Sequence, residues 1–124
     1  LNHLEVIDIE IKNKKLPVTS IERTLIDIVT RPEYSGGVLE ILNAYKEAKG
    51  RFSTGRLIAT LKKMDYTYPY HQAIGFYLEK AGYDEKILNR FDKMDKKVDF
   101  YLTYQMKDKS YSNRWRLYYP SYLD

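Results

Sequence analysis

Cysteine is absent from this 124-residue chain. That excludes disulfides and thiolate metal sites, and it suits a reducing compartment, so the cytoplasm is the expected location. Histidine is nearly absent. His3 and His71 are far apart and neither has a helical i, i+4 partner, so a zinc site would have to be built mainly from carboxylates. No metal and no cofactor is expected. No apolar run is long enough to cross a bilayer, and "LNHLEVIDIE" has neither the basic start nor the apolar stretch of a secretory signal. No membrane partner is expected. The signatures G-x-S-x-G, P-loop and G-x-G-x-x-G are all missing. "SGG" at 35–37 could cradle an anion at a helix start, but it reads more simply as a turn into a helix. An initiating methionine is also missing, and the expectation from Leu1 is a piece of a longer protein.

The residues that are present describe one globular domain. Apolar residues make up 44% and charged ones 31%, a composition that folds rather than staying disordered. The formal charge is +4, mildly basic, which permits contact with nucleic acid or an acidic partner. Tyrosine occurs 13 times. Its large ring and wet hydroxyl suit interfaces and half-buried surfaces.

Periodicity divides the chain. "EVIDIEI" (5–11) alternates as a half-buried strand, "KNKK" is a polar turn, and "LPV" is an extended piece that Pro17 keeps at an edge. Thr19 with Glu22 forms a capping box before a helix over 20–30, which Pro32 ends. A second helix runs from a Ser35 cap to about Lys49, with Gly50 as its stop. A third follows Ser53 or Thr54, carrying Leu57, Ile58, Leu61 and Met64. A fourth begins at Pro69 and ends at Gly82, and a fifth, capped at Asp84, reaches about Lys93. The period then changes to two. "VDFYLTYQM" and "RWRLYY" read as an antiparallel pair joined by the turn "KDKSYSN". The expected fold is therefore α+β, a single domain over 1–124. About five helices pack with a small sheet made of the N-terminal strand and the C-terminal hairpin.

Several segments could carry chemistry. In the first helix, Ile21, Leu25, Ile28 and Val29 form the apolar stripe, and Arg23 and Asp27 pair across one turn nearly opposite it. "AKGRFSTGRLIATLKKM" (48–64) has the look of helix, turn, helix and presents Arg51, Arg56, Lys62 and Lys63 to a phosphate backbone. "RWRLYY" sets Arg114, Arg116 and Tyr118 on one strand face, with Tyr101 and Thr103 across the hairpin. Together they make a basic, aromatic patch for bases or protein. Asp99 with Gln105 and Lys107 is faintly like the acid-and-lysine pattern of restriction-type nucleases. Gln105 stands where a carboxylate is wanted, and no third ligand is near.

"VTSIERTLIDIVTRPEYSGGVLEILNAY" (18–45), followed by "HQAIGFYLEKAGY" (71–83), resembles the C-terminal domain of AbiEi-type antitoxins. The likeness covers roughly residues 15 to 120 and rests mainly on T-S-x-E-R-T-L-x-D. In the second block Ile74 and Gly75 stand where that family tends to place an arginine and a small residue. The resemblance implies a non-enzymatic regulator in a type IV toxin–antitoxin, phage-defence abortive-infection system. Its partners would be operator DNA, reached mainly through an N-terminal winged helix-turn-helix not in this chain, and an AbiEii-like nucleotidyltransferase toxin that it opposes without a stable complex. The alternatives are an interaction module that forms homodimers through its tyrosines, and a degenerate metal-dependent nuclease. The resemblance also gives Arg23 and Asp27 a larger role, as a buried structural ion pair whose loss through Arg23→Ala would cost about 3 kcal/mol.

Overall fold

The computed structural model describes residues 6–11 and 14–124, with side chains from residue 20 onward. The class is α+β, with five helices in the middle of the chain and strands toward both ends. The facing of Ile7, Ile9 and Ile11, the turn at 12–13, His3 and the side chain of Thr19 lie outside the described residues.

Strands β1 (Val6–Ile11) and β2 (Lys14–Thr19) pair antiparallel, in register from Val6–Thr19 to Ile11–Lys14. They form a two-stranded sheet of their own. The N-terminal strand therefore does not join the C-terminal strands, as periodicity had suggested. The short extended piece after the turn is itself a full-length partner. Pro17 is accommodated because each strand of a two-stranded ribbon keeps one free edge.

Helix α1 (Ile21–Thr30) is capped by Ser20, whose Oγ accepts from the Arg23 amide at 3.1 Å. Its buried face is Glu22, Leu25, Ile26 and Val29, while Ile21 is exposed. The stripe is thus turned from the expected one, because Ile26 is completely buried and draws Glu22 in with it. A 3-10 turn over Pro32–Ser35 and two glycines with φ of 86° and 91°, Gly36 and Gly37, lead into α2 (Val38–Glu47). Gly37, not Ser35, is the N-cap; the Ser35 hydroxyl donates back to the Arg31 carbonyl. Helices α3 (Thr54–Met64) and α5 (Glu85–Asp92) begin at the expected caps, Ser53 and Asp84.

Helix α4 (Tyr70–Lys80) is the centre of the molecule. Every residue from Gln72 to Leu78 is buried, so it is enclosed by neighbours rather than lying amphipathic on a surface. Helices α1, α2 and α5 pack on it, and α3 packs on α1. The core holds Ile26, Ile41, Tyr45, Leu57, Phe76 and Tyr77. Tyr45 stacks on Tyr77 with centroids 5.3 Å apart and donates its hydroxyl to the Leu25 carbonyl at 2.7 Å. The Tyr83 hydroxyl donates to the Tyr45 carbonyl at 2.7 Å, and burial pushes that phenol up to about 12.

The C-terminal sheet has the order β3 (Phe100–Tyr101), β5 (Leu117–Pro120), β4 (Lys109–Ser112). Strand β5 lies in the middle, antiparallel to β4 and parallel to β3. The expected pairing of 98–106 with 114–119 is replaced. Most of 98–106 is irregular, the predicted turn contains β4, and "RWR" is itself the hairpin turn. Arg116 ends that turn with φ of 51°. Three features dock the sheet on α4. Trp115 is fully buried against Gly75, whose missing Cβ leaves room for the indole. The Trp115 Nε1–H donates to Glu79 at 2.9 Å. The buried Gln72 amide donates to three carbonyls, Val98 (3.1 Å), Trp115 (2.7 Å) and Arg116 (3.0 Å).

Candidate nucleic-acid interface

The six predicted cations have different fates. Arg114 sits in the hairpin turn, not on a strand face, inside a cage of carboxylates. It contacts Asp92 at 2.7 Å, Glu85 at 3.0 Å and Glu79 at 3.2 Å, and its guanidinium lies over the Trp115 ring. The hydrogen bonds it donates to Asp92 and Glu85 raise its pKa further. For Asp92, burial works upward, but hydrogen bonds from Arg114 and Lys96 prevail and hold its carboxyl below the usual range. Arg116 pairs with Asp99 at 3.2 Å and donates to the Lys96 carbonyl at 2.8 Å. Both arginines spend their charge inside the domain. Tyr118 stacks on Tyr101 at 4.8 Å, and Tyr111 lies against Tyr118 at 4.9 Å. The tyrosine part of the patch exists, but without free arginines.

Arg51 and Arg56 are exposed near the start of α3, and Arg56 has interactions of its own. The helix-turn-helix reading does not survive. Residues 48–53 separate α2 from α3, more than the three or four residues of such a turn, and the two helices pack mainly on different partners. The nuclease pattern does not assemble either. Asp99 is engaged by the Tyr111 hydroxyl at 2.7 Å as well as by Arg116, and Gln105 lies in a loop with φ of 55°. Among the described residues, no three His, Asp or Glu side chains are grouped to hold a metal ion.

Lys62 and Lys63 occupy the last turn of α3, where basic side chains complement the helix dipole. Lys62 lines a hollow of about 300 Å³ together with Ile58, Met94, Arg90 and Lys93. Arg90 is in the last turn of α5 and Lys93 is its C-cap. A second hollow of about 280 Å³ adjoins it, sharing Lys62 and Met94. Its walls include Asp65, His71 and the tyrosines of "YTYPY", Tyr66, Tyr68 and Tyr70. These rings meet edge to face, Tyr66–Tyr70 at 4.9 Å and Tyr68–Tyr70 at 5.7 Å. His71 Nε2 is 2.6 Å from the Asp95 carbonyl, which can only accept, so Nε2 carries the hydrogen. Burial pushes this imidazole below its usual range, against the opposing pull of that carbonyl, so at neutral pH it is a neutral hydrogen-bonding group.

Of the predicted cations, then, Lys62 alone lines this basic and aromatic surface. Arg90, Lys93 and the three tyrosines were missed. The available signal was the i, i+3 spacing of Arg90 and Lys93 in "NRFDKM", together with the density of tyrosine in "YTYPYH".

The opening segment has a structural role. Arg23 Nε is 3.3 Å from Asp27, with the arginine side chain 12% exposed and the aspartate 45%. Arg23 also has interactions beyond Asp27. Arg23 is largely buried and bonded to Asp27 as expected, whereas Asp27 is nearly half exposed and not the buried partner that was expected. Glu22 is the buried acid, 5% exposed, and its Oε2 accepts from the Ser53 amide at 2.9 Å. It does not close a capping box on its own helix. A comparison with family models, with curated proteins and with solved structures finds no match for this chain.

Proposed function

We propose that this chain is a non-catalytic antitoxin domain of the AbiEi type. It would counteract a nucleotidyltransferase-like toxin without holding it in a stable complex, with operator DNA contacted through a winged helix-turn-helix elsewhere in the antitoxin. One observation supports the reading best: the letters that carry the resemblance are the ones that join helices. Ser20 caps α1, Glu22 ties α1 to the start of α3, and the Leu25 carbonyl receives the Tyr45 hydroxyl of α2. A run of residues with so many structural duties would persist as the signature of a fold.

The test is co-expression with a nucleotidyltransferase-like toxin encoded beside it. Restored growth, with no complex surviving gel filtration, is the expected result. Continued arrest in cells that contain soluble, folded domain removes the reading. A second reading, a self-associating interaction module, is favoured by the Tyr101–Tyr118–Tyr111 row, in which Tyr101 and Tyr111 are exposed. Light scattering that gives a monomer at micromolar concentration removes that one.

A further inference from the structure

We infer that the paired hollows at the C-terminal ends of α3 and α5 bind single-stranded nucleic acid, with Lys62, Arg90 and Lys93 on the phosphates and Tyr68 against an unpaired base. The inference goes beyond the antitoxin reading and does not depend on it.

The charge pattern is the first argument. Arg114, Arg116 and Lys96 are matched by carboxylates or carbonyls of the domain itself. Lys62, Arg90 and Lys93 are exposed, and no described residue pairs with them. A basic residue in the last turn of a helix complements the dipole, and one per helix serves that purpose. Here two helix ends meet and direct three cations at one hollow, whose lining among the described residues holds no carboxylate. Among the described residues, Asp65, in the adjoining hollow, is the one acid lining the pair. An anion that bridges these cations gains from all three, and a chain of phosphates is such an anion.

The aromatic wall separates single strands from duplexes. A duplex keeps its bases stacked inside, and its edges are read by a helix or ribbon that enters a groove. This surface is concave and offers rings instead. Tyr68 is 63% exposed while its ring is held by Tyr70 and by Phe100 at 5.6 Å. An exposed ring with a fixed orientation is a stacking platform, usable only by an unpaired base. The neutral His71 beside it, with its hydrogen committed to the Asp95 carbonyl, leaves Nδ1 as an acceptor for a base amino group.

Fluorescence anisotropy of the full chain tests this. The probes are a mixed-sequence RNA of roughly 12 nucleotides, the same sequence as DNA, its duplex, and an acidic peptide of equal charge. The expected result is tighter binding of single strands than of duplex, with the two sugars telling RNA from DNA. Combined Lys62→Glu, Arg90→Glu and Lys93→Glu should abolish binding, and their Gln counterparts should lower the slope of log K against log salt by about 2. Tyr68→Ala should weaken binding roughly tenfold with the salt slope unchanged. Lys63→Glu, also exposed on α3, should change little. Helical circular dichroism and Trp115 emission check that each variant is folded. The inference is overturned by no binding at tens of micromolar, by binding that the charge variants leave intact, by equal affinity for duplex with no effect of Tyr68→Ala, or by a preference for the peptide. Toxin rescue is measured separately, so either idea can fail alone.

Discussion

Glu22 is the residue whose surroundings depart most from its type. A carboxylate this deeply buried is tolerated because a helix start faces it: the Ser53 amide donates to it, and the positive end of α3 favours a negative charge. Removing the acceptor takes the partner from a part-buried amide and leaves a gap where the Glu22 side chain was buried, a cost within about 1–3 kcal/mol. Glu22→Ala should therefore lower stability by about 2 kcal/mol in urea titration, and Glu22→Gln by about half of that, since an oxygen remains. Arg23→Ala should fall below the sequence-based value. Asp27, nearly half exposed, keeps its hydration when its partner goes, so about 1–2 kcal/mol is expected. Asp27→Ala should cost under about 1 kcal/mol. A ranking with Asp27 highest would show that the pair, and not the buried acid, anchors the helix. Periodicity missed this because it centred the stripe on Ile21, Leu25, Ile28 and Val29 and took Ile26 only as a broadening of that arc. A charged residue four before Ile26 was then read as a cap and not as part of the buried face.

At the scale of elements, the helices were legible because their signals are local. Ser53 and Asp84 cap as expected, and the apolar stripe read for α3, Leu57, Ile58, Leu61 and Met64, is buried. The first strand was legible from its alternation, but the C-terminal sheet was not, because its partners are distant or its signals weak. β4 is short and polar, without an apolar alternation to mark it. The hairpin turn closes on Arg116 in a left-handed conformation, a position where glycine would have announced it. The pairing of β3 with β5 is parallel and cannot be inferred from a hairpin rule. The basic, aromatic surface was half legible for the same reason. Lys62 and Lys63 share a helix turn, but no pattern along the chain says that α5 ends beside α3.

The contacts of α4 and α5 with the hairpin turn give two expectations. A methyl group at position 75 would fall within the Trp115 ring, so Gly75→Ala should cost about 2–3 kcal/mol by overpacking and shift the near-ultraviolet signal of the indole. Asp92 has a carboxyl held below the usual range in the folded state. Its contribution is therefore present above the unfolded value of about 3.9 and is lost as pH falls through the lower folded value. Arg114→Ala should lower stability at neutral pH by about 1–2 kcal/mol and flatten the acid limb. An acid limb unchanged in Arg114→Ala would place the titrating group elsewhere.

For the whole molecule, one tryptophan is a convenient reporter. Trp115 is in the C-terminal turn but buried on the central helix, with Glu79 on its nitrogen and Lys96 4.9 Å above its ring. Its emission should be blue-shifted in the native state. It should move to the red in the same transition that removes the helical dichroism, because sheet and helices share Trp115, Gln72 and Arg114 as joints. Two separated midpoints would mean that the sheet opens before the helices.

The strand order of the C-terminal sheet matters for how the chain is made. β5, the last of the three strands in sequence, is the middle one in space, and among the described residues β3 and β4 have no hydrogen-bonded strand other than it. A nascent chain that has emerged only as far as residue 112 carries two strands with nothing to pair with, and the place of Trp115 beside Gly75 is still empty. The helices can assemble during translation. The sheet closes at one moment, when 115–120 arrive, and until then the growing polypeptide shows open edges to whatever is nearby.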